Sequence, residues 1–325
     1  MCVFSKHTAI LSSFYQTKFH SVMKNRIYPF LLLTIIALSG CARYILDEED
    51  VASKGDSQLT IRISPFEKSS FDINPTSRAT VGINEICSRI GFAVFDSNGK
   101  KVASVNQDSK TGGFGTLKAN LNDGVYEIVI VAHSTGGNAT ISKPDSIRFT
   151  DNKVTDTFYY YEQINLNGSL AKDITMKRCV GMLRLNLNES IPADVKQLKF
   201  EYSGGSSALN AKTGFGRIQS RQTEYRSVAA DAATATRNTF DIYTIPHEKD
   251  DVLKVTITAL AADGKTELLK TVLEDVPVTQ GMITNYNGSI FGGGTSIPGT
   301  GEDSLSPFNI SLKADKDWTE QTFNF

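Results

Sequence analysis

The sequence predicts an all-β chain folded as two tandem β-sandwiches, and three observations carry that prediction. Short runs with apolar residues at every second position recur roughly every 8–12 residues, separated by Gly, Asn and Asp turn signals. No 3.6-residue period persists beyond about two helical turns. Thr, Val and Ile are abundant and accompany 18 Phe and 11 Tyr with only 9 Pro, a composition suited to pleated, half-buried surfaces.

The chain opens with a segment of a different kind. Met1–Val22 is polar and mixed and serves no recognisable purpose. Met23 begins a well-formed signal: Lys24 and Arg26 supply positive charge, Ile27–Leu38 is apolar, and Ser39 and Gly40 are small. We therefore read Met23 as the true start and residues 1–40 as a spurious extension followed by a signal peptide. As a helix the apolar run spans about 18 Å, short of the roughly 30 Å bilayer core, so a signal-anchor helix is the weaker reading. Leu38-Ser39-Gly40-Cys41 resembles the lipobox of bacterial lipoproteins, which makes Cys41 the acylated first residue of the mature chain. Acyl chains contribute about 0.8 kcal/mol per buried CH₂, enough in number for a durable anchor. The acids Asp47-Glu48-Glu49-Asp50 follow closely and read as a solvated tether repelled by anionic lipid. Residues 41–56 form that tether.

Strand candidates then follow in order. Gln58–Ser64 alternates apolar and polar residues; the polar stretch Phe66–Asn84, with Pro75, reads as a long connection. Arg89–Asp96 and Lys101–Val105 flank Ser97-Asn98-Gly99, a strong hairpin signal. Gly115–Leu121 and Gly124–Ala132 form a second pair, and Ser146–Phe149 and Phe158–Ile164 follow. After Asn167-Gly168 the series restarts with Thr175–Leu187 as one long alternating strand, then Gln197–Tyr202, Thr239–Tyr243, Leu253–Ala259 and Leu268–Val272. Ala229–Thr236 is a low-complexity loop, and Ala261-Ala-Asp-Gly264 a hairpin turn. The expected domains are 57–170 and 171–325. Phe308–Phe325 is either the final strand of the second sandwich or a strand presented to a partner.

Composition excludes several functions. The chain carries 34 basic and 35 acidic residues, so it has no basic field for nucleic acid. Beyond the signal no apolar run is long enough to span a membrane. Cys87 and Cys179 are the only cysteines left for a disulfide; in apparent strands each also suits the role of a small buried hydrophobe. His133 and His247 lack partners at metal-ligand spacing and read as loop residues, hydrogen-bonded or solvated. Gly112–Gly115 and Gly292–Gly294 lack a following helix, Asp96–Gly99 lacks a downstream calcium ligand, and Asp315-Lys-Asp317 is too short for a cage. No nucleophile motif occurs in a suitable context, and carboxylate pairs, which need only proximity in space, stay open. We expect no enzyme activity and no cofactor. Tyr159-Tyr160-Tyr161 could stack on a sugar, but Tyr159 and Tyr161 share one strand face, where cross-strand packing explains them more simply.

Taken together, the lipobox and acids at Cys41–Asp50, "IGFAVFDSNGK" at 90–100, "GVYEIVIVAH" at 124–133 and "MKRCVGMLRLNLNESIPADVKQLKFEYSG" at 176–204 resemble FimB-type anchor subunits of the major fimbrillin superfamily. "VPVTQGMITNYNGSIF" at 276–291 and "FNISLKADKDW" at 308–318 fit as well. Cys179 departs from the small residue expected there, as does the stretch before Met23. The resemblance implies transthyretin-like sandwiches on a lipoprotein of the outer membrane, with the acids acting as the surface-export signal of the Bacteroides phylum. It further implies a place at the fimbrial base, pairing by β-strand with the first shaft subunit and limiting fimbrial length. Shaft subunits of that superfamily look like lipoproteins that lose an N-terminal strand to an arginine-specific protease; Arg78 would be the cut here. Uncut anchor is the preferred reading. A cleaved shaft or accessory subunit, or a surface lipoprotein binding glycan or host protein, are the alternatives.

Overall fold

The computed structural model describes residues 50–68, 79–292, 313–314 and 319–324. The first twelve strands in chain order are β1 (Ser57–Ile63), β2 (Phe66–Lys68), β3 (Ala79–Val81), β4 (Arg89–Asp96), β5 (Lys101–Asp108), β6 (Thr116–Leu121), β7 (Gly124–His133), β8 (Thr140–Lys143), β9 (Ser146–Arg148), β10 (Phe158–Leu166), β11 (Leu170–Ile174) and β12 (Lys177–Arg178). One short helix, α1 (Ile83–Ile86), precedes β4. The rest are β13 (Gly181–Leu187), β14 (Gln197–Ser203), β15 (Ala208–Asn210), β16 (Phe215–Gly216), β17 (Gln222–Ser227), β18 (Asn238–Thr244), β19 (Asp250–Leu260), β20 (Glu267–Thr279), β21 (Met282–Gly288), β22 (Lys313–Ala314) and β23 (Thr319–Asn324). The fold is all-β.

In the first sandwich the sheet β11-β1-β6 packs on the sheet β12-β10-β7-β4-β5. Between them lie Leu59, Ile61 and Leu117 from one side and Ile90, Phe92, Ile128 and Ile130 from the other. The second sandwich pairs the sheet β18-β13-β21-β23-β22 with the sheet β17-β14-β19-β20 around Leu183, Leu185, Phe200, Val255 and Ile257. A small sheet, β16-β15-β9-β8, draws strands from both halves of the chain. Under it Ala93, Phe95, Val129 and Val131 meet Cys179, Val180, Leu209 and Ile245 in a third apolar cluster. The sheet containing β4 and β7 is thus covered on both faces. That is why "RIGFAVFD" and "EIVIVAH" are nearly continuous in apolar residues, as a sheet buried on both faces requires.

The turns form where local chemistry dictates. Asp96 Oδ1 accepts the N–H of Asn98 (2.9 Å) and of Lys100 (3.0 Å), and Gly99 takes φ = +75°, closing the β4–β5 hairpin. Asp263 does the same between β19 and β20, accepting the N–H of Lys265 and Thr266; these bonds and the Thr266 hydroxyl pull its carboxyl down to about 2.

Four expectations change. Thr175–Leu187 is two strands, because β12 pairs with β10 whereas β13 lies in the second sandwich between β18 and β21. At the crossing, a Cβ on Gly181 would lie 2.7 Å from the Thr279 carbonyl oxygen, so the close backbone approach admits only glycine. Cys87 and Cys179 lie outside strands, the first directly after α1 and the second in the β12–β13 link. The connection 66–84 contains the β2–β3 hairpin and the start of α1. His133 is no loop residue: it ends β7 and is fully buried.

Candidate strand-pairing site

β1 sits in the middle of its sheet. On one side it runs parallel to β11, from Leu59↔Leu170 to Ile63↔Ile174; on the other it runs antiparallel to β6, from Ser57↔Leu121 to Arg62↔Thr116. Both backbone rows are therefore paired, and Leu59 and Ile61 point into the core with no exposed surface. Removing this strand would leave two unpaired rows and an apolar slot between them.

The residues just before β1 are stitched to neighbouring strands. Asp50 Oδ1 accepts the Asn106 N–H (2.8 Å) and the Asn106 amide Nδ2 (3.1 Å). Val51 N–H donates to Ser104 Oγ (2.8 Å), and Ser104 N–H donates back to Val51 O (3.2 Å). Asn120 N–H donates to Ser53 Oγ (3.0 Å), so the strap crosses from β5 to β6. β5 is the outer strand of its sheet, and the strap covers part of that edge. Ser57 Oγ donates to Asp123 Oδ1 (2.6 Å), which also accepts the Gly168 N–H (2.8 Å); the two bonds hold the Asp123 carboxyl below its usual range.

The second strand contact is at the other end of the chain. β21 runs parallel to β13 and also parallel to β23, from Met282↔Thr319 to Asn287↔Asn324. Residues 308–312, 315–318 and 325 of the expected terminal stretch lie outside the described residues; the strand itself is Thr319–Asn324, seated in the second sandwich. A polar row crosses this sheet. Thr239 Oγ1 donates to Asn186 Oδ1 (2.9 Å), and Asn186 Nδ2 donates to Asn287 Oδ1 (2.8 Å) and Asn285 Oδ1 (3.3 Å). In the backbone register Asn285 stands opposite Thr322 of β23 and Asn287 opposite Asn324. After β21 the Glu189 carboxylate accepts the consecutive N–H groups of Ile290, Phe291 and Gly292, fixing where the chain leaves the sandwich.

The remaining candidates separate cleanly. Cys41 and Arg78 lie outside the described residues. Cys87 and Cys179 are free, buried thiols, and burial pushes both far above the ordinary thiol range. Cys179 Sγ contacts the Thr157 carbonyl at 3.3 Å, and Cys87 Sγ lies 4.0 Å from that of Asp156. His247 bridges the Asp251 carboxylate (2.9 Å) and the Ile218 carbonyl (3.1 Å). Tyr159 and Tyr161 pack against the third cluster, and Tyr161 shares Glu127 with Lys212. Among the described residues no group of three His, Cys, Asp or Glu side chains could hold a metal, and no helix is long and apolar enough to cross a membrane.

The model of the fimbrillin-A associated anchor proteins Mfa1 and Mfa2 matches residues 84–322, most of the chain. The chain belongs to this family. It is thus a member of a family of fimbria-associated anchor proteins, and the match takes in β13, β21 and the first part of β23. Solved structures show broad likeness at low identity. The fimbrial anchor protein Mfa2 from Porphyromonas gingivalis is 9% identical with a TM-score of 0.39, over 66% of this chain and 81% of that one. A fimbrial assembly protein from Parabacteroides distasonis is 10% identical with a TM-score of 0.35, over 72% and 90%. A structure from Bacteroides ovatus described as a candidate adhesin is 13% identical with a TM-score of 0.44, over 73% and 87%. No curated protein matches the sequence.

Proposed function

We propose that this family member is a surface lipoprotein that holds a fimbria to the outer membrane. In this reading Met23–Gly40 is removed, Cys41 is acylated, residues 41–56 form the tether, and 57–170 and 171–325 form the two domains. The anchor pairs by β-strand with the first shaft subunit and limits fimbrial length. One observation carries the reading: β1 is seated between β6 and β11 and strapped to β5, so the slot a shaft subunit would open is filled by the anchor's own chain. Cleavage after Arg78 would sever that strand from the rest of the fold, whereas an uncut chain keeps it tied to the lipid. From the strap, Cys41–Asp50 reaches at most about 30 Å, which keeps the domain near the bilayer.

The occupied first slot leaves the C-terminal strand as the one to pair. β23 is seated parallel on β21, and its exchange into a shaft subunit would use the same register. Deleting the gene should release fimbriae into the medium or leave them abnormally long, with growth on glycans unchanged. Restoring the gene without residues 313–325 should leave the release uncorrected. Unchanged fimbriae together with a glycan-uptake defect would overturn the anchor reading in favour of a binding module.

A further inference from the structure

A groove of about 500 Å³ opens between β17 and β18, where the outermost strands of the second sandwich's two sheets meet the turn at 229–237. Arg226, Asp231, Arg237, Thr239, Phe240 and Tyr243 are among its lining residues. The volume lies within the roughly 300–1,000 Å³ of small-ligand sites.

The chemistry of the β18 edge decides what fits. In an antiparallel pair, alternate residues turn both N–H and C=O to the same side. Residues 241, 243 and 245 face away from β13, as three contacts record. Ile245 exchanges both backbone bonds with Ser206 (2.9 and 3.1 Å). Asp241 O accepts from Arg226 Nε (3.0 Å), and Tyr243 O accepts from the Tyr202 hydroxyl (2.9 Å). Two carbonyls are therefore capped by side chains, while among the described residues the N–H groups of Asp241 and Tyr243, both lining the groove, have no acceptor. An added β-strand needs both kinds of group, so this edge is poorly suited to strand addition. Among the described residues neither the Arg237 guanidinium nor the Asp231 carboxylate has a partner, and both are exposed. The wall is rigid: Arg184 grips Asp241 through two bonds (2.8 and 2.9 Å), and Glu224, only 2% exposed, holds Arg226 at 2.6 Å.

We propose that this groove binds a short oligosaccharide. Sugar oxygens accept from the Asp241 and Tyr243 N–H groups and from Arg237, sugar hydroxyls donate to Asp231 and to Thr239 O, and an apolar sugar face rests on the Tyr243 ring. Donors and acceptors alternating at close spacing beside an aromatic ring are what a sugar needs, and capped carbonyls remove the competing peptide strand. The proposal stands apart from the anchor reading, since it uses neither β1 nor β23.

The test is an array of defined oligosaccharides with neutral, amino and uronic sugars, probed with the mature protein in detergent. Bound members should shift the backbone amide resonances of Asp241 and Tyr243. Arg237→Ala, and separately Asp231→Ala, should each weaken binding by about tenfold or more. Both changes are at exposed positions, so the melting temperature should be unchanged. The proposal is overturned if no array member binds below millimolar concentration, if binding survives both substitutions, or if an extended peptide and no sugar shifts these amides.

Discussion

Replacing Leu59 and Ile61 together by alanine is expected to unfold the first sandwich and to abolish surface display of the protein. Both side chains are fully buried on the central strand of the β11-β1-β6 sheet. Each large-to-small change in such a core costs about 2–5 kcal/mol, from lost burial and the cavity left behind. Two on one strand approach the roughly 5–15 kcal/mol total stability of an ordinary domain, with some non-additivity because they are neighbours. Urea unfolding should show the loss, and each single substitution should lower the midpoint by about half as much. Arg62→Ala is the control. Its ion pair with Asp173 (3.5 Å) joins side chains 54% and 67% exposed, so its removal should change stability by under about 1 kcal/mol. A double variant as stable as this control would mean that β1 is dispensable to the fold.

The second large effect is in acid. His133 is fully buried at the end of β7, where its Nδ1 lies 2.8 Å from the Thr135 hydroxyl and 3.2 Å from the Thr135 backbone nitrogen. Among the described residues Nε2 has no partner, and the Phe149 ring meets the imidazole edge-on at 5.4 Å. Burial, with the nearby positive Arg89, lowers its pKa from 6.5 to about 3. A group whose folded pKa is depressed binds protons more readily when unfolded, so its contribution to stability is complete above pH 6.5 and is lost as pH falls towards 3. By that linkage the loss is about 2 kcal/mol at pH 5. Asp123, Glu127 and Glu162 are also held low and add acid sensitivity only at lower pH, so the window from 6.5 to 5 isolates the imidazole. Unfolding free energies at pH 7 and pH 5 should differ by that amount in the natural protein and be nearly equal in His133→Asn. An unchanged slope in the variant would assign the acid sensitivity elsewhere.

Most strands were legible because alternation and turn chemistry are local. The β4–β5 hairpin follows directly from Asp96, Asn98 and Gly99. Harder to read was anything set by distant approach. The alternation in "TMKRCVGMLRLNL" runs straight through residues 179–180, yet the chain changes sheets there, and only the contact of Gly181 with Thr279 reveals why. The parallel pairings β1–β11 and β13–β21 join strands far apart in sequence and leave no local signature. β20 is longer than its apolar run because an outer strand tolerates Pro277 and a bulge. The near-continuous apolar character of β4 and β7 is the local trace that the third cluster leaves in the sequence. At the site, the tether's end reads as solvated acid in sequence, while in three dimensions Asp50 and Ser53 are strap residues. Arg226 and Tyr202 cap β18 through contacts no spacing rule could foresee.

The decisive measurement is the mass of the N-terminal peptide of the protein isolated from outer membranes, alongside palmitate labelling of the natural chain and Cys41→Ala. A polypeptide continuous through position 78, with fatty acid on the sulfur of residue 41 and no label in the variant, is the outcome this account requires. A mature chain beginning at Ala79 without lipid would contradict it, since the strand that fills the first sandwich would then have to come from another subunit.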